Sequence, residues 1–200
     1  MRRTVTPFTA AVSAVAILGI AGVLLAAVVP AAANAAEPRD TGRTGDPGLT
    51  PREPSKYSVV YREEAVIVAS PATVWRLLVD LPGYSAWNPW VVKAEGTAEP
   101  GAEVVVDVVL SGHVMRAKHV VLTVEPERRF CWKDAGWNSW FVYGQRCRTL
   151  RHQADGSVLF QQELLLDGPL SKVASATMGK AMRAGMAAET AALKQHAERP

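Results

Sequence analysis

From Tyr57 onward, apolar and polar residues alternate in short runs broken by Gly, Pro, Asn and Asp, a period that belongs to strands rather than helices. Residues 57–69 carry Val59, Val60, Tyr61, Val66, Ile67 and Val68 and predict a first strand. Ser70-Pro71 then supplies an N-cap followed by proline at the first helical position, and Val74, Trp75, Leu77 and Leu78 make one apolar face of a short helix. Leu81-Pro82-Gly83-Tyr84 ends that helix, and residues 85–89 predict a second short helix or turn before a strand at 90–95. Residues 103–110 and 114–125 flank Ser111-Gly112-His113, a hairpin signature, and 129–134, 140–151 and 157–166 continue the pattern. Residues 170–198 are dominated by Ala, Met, Leu and Lys and contain no proline, so they predict one long helix.

These elements have one economical packing. An α+β domain results, in which a curved antiparallel sheet, with two short helices after its first strand, wraps the long C-terminal helix. Small residues on that helix, Ala174, Ala181, Gly185 and Ala188, leave room for a cavity beneath it.

The front of the chain is of another kind. Arg2 and Arg3 precede an almost unbroken apolar run from Ala10 to Val29, and Ala33-Asn34-Ala35 forms a small-x-small site. Residues 1–35 therefore predict a secretory signal cleaved after Ala35, which places the mature protein in the cell envelope or outside the cell. The alternative is an uncleaved anchor, since about twenty apolar residues reach about 30 Å. In that case this segment is the chain's one membrane contact. Residues 36–56, rich in Pro, Gly, Thr and charge, read as a flexible linker ahead of a single domain at 57–198.

Charge removes one class of function. The net charge is +3, most of that excess lies in Arg2 and Arg3, and the remaining basic residues are interspersed with carboxylates. No basic stripe for nucleic acid results. Cys131 and Cys147 are the only cysteines and lie on neighbouring strands, which suits either a cross-strand disulfide in an oxidising compartment or two buried thiols. Two Cys and four dispersed His make no metal-ligand cluster of the usual spacing, and no motif implies a cofactor.

The run Ser70-Pro71-Ala72-Thr73-Val74-Trp75, followed by Leu78-Val79-Asp80 and Tyr84-Ser85-Ala86-Trp87-Asn88-Pro89, resembles the opening of polyketide cyclase/dehydrase-like members of the START-like (SRPBCC) superfamily. Pro126-Glu127-Arg128-Arg129-Phe130-Cys131-Trp132, Asp167-Gly168-Pro169-Leu170 and residues 192–198 are similar to its later landmarks. The resemblance implies a helix-grip fold with a deep pocket for lipids, polyketides, hormones or other apolar molecules. Functions diverge widely on such a fold.

Two groups are candidate walls for that pocket. Trp137, Trp140 and Tyr143 crowd one hairpin and suit an aromatic rim, although strand alternation would divide Trp140 and Tyr143 between the two faces. Met178, Met182 and Met186 recur every four residues on the last helix and suit either an adaptable pocket wall or a plain core stripe. Acid–base chemistry has thinner support in Asp107, His113, Arg116 and His119, which are also ordinary solvated strand residues. The leading expectation is a binder or carrier of a hydrophobic small molecule. A cyclase or dehydratase-like enzyme and an envelope interaction protein with a filled core are the alternatives.

Overall fold

The computed structural model describes residues 47–199. The expected signal or anchor at 1–35, and the linker up to residue 46, lie outside the described residues.

Strand β1 (Val59–Ile67) leads through Ser70 into helix α1 (Pro71–Val79). The Ser70 side chain accepts a hydrogen bond from the Thr73 amide at 3.1 Å, and Pro71 occupies a position whose missing N–H costs nothing. A 3-10 turn at Pro82–Ala86 is the second short helix. It returns the chain to β2 (Val91–Glu95), β3 (Glu103–Leu110), β4 (His113–Glu125), β5 (Arg129–Asp134), β6 (Tyr143–His152) and β7 (Val158–Asp167). The chain closes with α2 (Ser171–Ala197). All neighbours pair antiparallel in the order β1-β7-β6-β5-β4-β3-β2, so the edges are the two strands that α1 connects. The chain thus has the helix-grip fold, a curved seven-stranded sheet closed by a long terminal helix.

Register irregularities between Val91 and Lys93 and between Val121 and Thr123 accompany the curvature, because an extra residue bends its strand. At the second of these, Val121 joins the concave core while Leu122 joins Cys131 and Cys147 in a separate cluster. Cys131 and Cys147 are directly opposed on β5 and β6, with Cα atoms 4.1 Å apart, and form a disulfide. Closing the loop between them, a separation of 16 residues, contributes about 3 kcal/mol in the chain-entropy picture.

The concave core is packed unevenly along α2. Toward its C-terminal end, Leu193 and Ala197 meet Ile67, Val74, Leu78 and Phe160 in a filled cluster. Under the 3-10 turn, Leu81, Tyr84, Val104, Val121, Phe130 and Trp132 fill a second one. Nearer the N-terminal half of α2, Tyr61 of β1 holds the helix closely, its hydroxyl donating to Ser175 Oγ at 2.6 Å, while space is left on the side of β3.

The linker expectation needs correction over its described part. The Arg52 amide donates to Gln145 Oε1 at 2.7 Å, and Gln145 Nε2 returns a bond to the Arg52 carbonyl at 3.2 Å. Ser55 and Ser58 both donate to Asp167 Oδ1. Polar composition made this stretch look unstructured, yet its serines and backbone lie bonded across the outer face of β6 and β7.

Candidate functional site

A cavity of about 190 Å³ lies between the concave sheet and the N-terminal half of α2. Alternation along the strands builds its apolar wall: Val106 and Val108 of β3 and Leu164 and Leu166 of β7 face Met178 and Met182 of α2. Met115, about half exposed, stands at the outer end. Trp90 and Arg146, both buried, form the inner end, where the Arg146 guanidinium lies 4.2 Å from the centre of the Trp90 ring.

Behind that end is a buried charged network. Arg146 and Arg148 both point inward from β6, since side chains two apart share a face, and both bind the carboxylate of Glu189 on α2. Arg146 Nη2 reaches Glu189 Oε2 in a very short contact, and Arg148 Nε reaches Oε1 at 3.2 Å. Arg146 also donates through Nε and Nη2 to Gln162 Oε1, at 3.1 and 2.6 Å. The Gln162 amide nitrogen donates to the Met186 carbonyl at 2.9 Å and to Thr190 Oγ1 at 2.6 Å. Burial by itself would raise the Glu189 pKa, but the adjoining Arg146 and Arg148 charges outweigh it and hold the carboxyl below its usual range. Burial, then the like charge of Arg148, push Arg146 down to about 10, which leaves it a cation at neutral pH.

His119 is on the cavity wall too. Its Nε2 lies 3.1 Å from Asp134 Oδ1 on the paired position of β5, and its ring is 5.2 Å from that of Trp132. With Nε2 donating to Asp134, Nδ1 is left as an acceptor, and among the described residues it has no partner. Gly144 makes this pair possible, because a Cβ there would collide with the Asp134 carboxylate.

The other residues singled out in the sequence are dispersed. Asp107 sits between Val106 and Val108 and so turns to the opposite face, in register with Arg116. Arg116 contributes to the cavity rim, but its guanidinium is turned to Glu95 at 3.1 Å. His113 is exposed at the hairpin. Of Asp107, His113, Arg116 and His119, expected as weak acid–base candidates, the structure therefore does not bring Asp107 or His113 to the cavity, while His119 lies on its wall beside Asp134.

The aromatic rim is corrected as well. Trp137 and Trp140 belong to a 3-10 turn instead of a strand; the Trp137 side chain lies outside the description, and Trp140 is 85% exposed and lines no part of the cavity. Tyr143, the first residue of β6, alternates with the inward-facing Gly144 and Arg146 and does not line the cavity. Its hydroxyl donates to Gln145 Oε1 at 2.8 Å and Arg52 covers its ring at 3.9 Å.

The methionine stripe divides. Met178 and Met182 line the cavity, whereas Met186 is fully buried in a cluster with Tyr61, Trp90 and Leu166. The small residues do not all open space either, since a Cβ on Gly185 would run into the Trp90 indole. That glycine lets the helix approach the ring that closes the cavity.

Trp90, Arg146 and Glu189 escaped the sequence reading. The signal for the last two was present: two arginines on one strand face with Leu150, and one glutamate among the residues of α2 that turn toward the sheet.

The family described as polyketide cyclase/dehydrase and lipid transport matches residues 58–198. No curated protein matches the chain. Among solved structures, the Zhui aromatase/cyclase from Streptomyces sp. R1128 is similar at 16% identity and a TM-score of 0.61, over 71% of this chain and 94% of that one. The major latex-like protein 151 of Panax ginseng is similar at 10% identity and a TM-score of 0.60, over 72% and 99% of the two chains. Norcoclaurine synthase from Thalictrum flavum, as a point mutant with a transition-state analogue, is similar at 15% and 0.55, over 72% and 97%. At these identities the likeness is one of fold.

Proposed function

Because the chain belongs to the polyketide cyclase/dehydrase and lipid-transport family, matched over residues 58–198, we propose that it encloses a small apolar molecule beneath α2. The observation that carries this reading is the cavity, whose wall is mainly valine, leucine and methionine side chains, while the core beneath the C-terminal end of α2 and under the 3-10 turn is filled. Volume narrows the ligand. Drug-sized sites run from roughly 300 Å³ upward, whereas an apolar cavity of about 150 Å³ accepts benzene. At about 190 Å³, the cavity takes a one- or two-ring aromatic or a short acyl group, and the rest of any lipid or polyketide would have to pass Met115 into solvent. Calorimetric titration of the full chain with 2-naphthol should show saturable one-to-one binding with a negative heat-capacity change, the mark of buried apolar area. Absence of any binding heat across temperatures, together with an unmoved Tm, would sink the reading.

A second reading, proton-transfer chemistry in the same cavity, is favoured by His119 and Asp134. His119 Nδ1 has a lone pair to take a proton from an activated carbon, and Asp134 would stabilise the imidazolium that forms. On a short poly-β-ketone substrate, His119→Gln should lower turnover by about 10²- to 10⁴-fold while 2-naphthol still binds. Equal turnover by both proteins removes this reading and leaves the first one standing.

A further inference from the structure

The inner end of the cavity carries more donors and more positive charge than the fold can satisfy. Two guanidinium groups share one carboxylate, and Glu189 divides its oxygens between them. Gln162 Oε1 already receives both remaining bonds from Arg146. Among the described residues, Arg148 Nη1 and Nη2 are buried without an acceptor, and so is the indole N–H of Trp90. Arg146 Nη1 takes part in none of the bonds that Arg146 makes, and Arg146 lines the cavity. The carboxylate on the cavity wall, Asp134, is paired with His119 and makes no ion pair with either arginine.

Unpaired charge in a protein interior is costly unless a partner is supplied, and the shortfall here has a definite chemistry. Every unsatisfied group just named is a donor. A water molecule would satisfy donors but would not offset the charge. An anionic acceptor in the cavity would offset the charge and satisfy the donors it reaches, those of Arg146 and Trp90, and the guanidinium fork suits a carboxylate.

Building on the reading of the cavity as a ligand site, we propose that the bound molecule is a small apolar carboxylate whose charged end meets Arg146 and the Trp90 indole N–H. Its apolar body lies against Val108, Leu164, Met178 and Met182. Arg148 does not line the cavity; stacked 4.2 Å from the centre of the Trp132 ring, it acts through its charge, holding Glu189 so that Arg146 is not fully neutralised.

The test uses a matched pair of probes on the full chain at pH 7: naphthalene-2-carboxylate, which is ionised, and naphthalene-2-carboxamide, which has the same shape and no charge. The carboxylate should bind about ten- to a hundred-fold more tightly, the range for a hydrogen bond to a charged group. Arg146→Met should bring the ratio of the two affinities close to one. That variant leaves Arg148 and Glu189 as a one-to-one pair, and the comparison in the unaltered protein stands whether or not the variant folds. Equal binding of the two probes overturns the carboxylate proposal while the cavity remains a ligand site. Binding of neither probe overturns the ligand site itself, and this proposal with it.

Discussion

Glu189→Gln should destabilise the protein by about 3 to 5 kcal/mol, because removing one partner of a buried ion pair strands the other. Here it strands two. Glu189 and Arg148 have no exposed area and Arg146 almost none, so water cannot take over when the carboxylate charge is lost. Against a total stability of roughly 5 to 15 kcal/mol, the loss would bring unfolding close to working temperatures. Arg146→Met should cost clearly less, since Arg148 still balances Glu189. Denaturant unfolding at constant m checks both.

Acid supplies the same test without mutation. Glu189 titrates below its ordinary value in the folded chain, so its stabilising contribution is complete above the unfolded pKa, 4.5, and is lost as pH falls through the folded value. Several other carboxylates are lowered too, among them the exposed Glu95 and Asp155 and the partly buried Asp167. The difference between Glu189→Gln and the unaltered protein isolates Glu189. That difference should shrink with falling pH, and a constant difference down to acid unfolding would contradict the account.

Met182→Trp should lower 2-naphthol affinity by a hundred-fold or more at little cost in stability, because the indole would fill space the ligand needs and that the native side chains leave open. The contrast is Met186→Trp, one turn further along the same stripe. Met186 is fully buried and packed, so a larger side chain there overpacks a filled cluster and should cost about 1 to 3 kcal/mol. If both variants lose stability equally and bind normally, the cavity is not where the structure puts it.

How these residues divide was only partly legible in the sequence. Strand periodicity, the Ser70-Pro71 cap and the proline-free terminal run identified the strands, the first helix and α2, because each rests on local chemistry. The strand expected from residue 140 starts at Tyr143, and that shift decided the fate of the aromatic rim. Trp137 and Trp140 fall in the 3-10 turn ahead of it and so take no strand face, and the facing of Tyr143 is set by its pairing with Asp167. Met178 and Met186 looked alike because helical spacing defines a stripe but not the distance of the sheet beneath it. Arg146 and Arg148 did not stand out in the sequence, since their partner is more than forty residues away on α2 and local patterning does not join them. Docking of Arg52 and Ser55 onto the sheet has the same origin: its bonds are long-range, while the composition is that of a linker.

Whether the space beneath α2 holds an apolar ligand is decided by a diffraction structure of crystals soaked in 2-naphthol. Ring density is expected between Val108, Leu164, Met178 and Met182, with the inner-end side chains Trp90 and Arg146 little moved. A cavity that stays without ring density at saturating 2-naphthol, or rings found only on the outer surface, would contradict the ligand site.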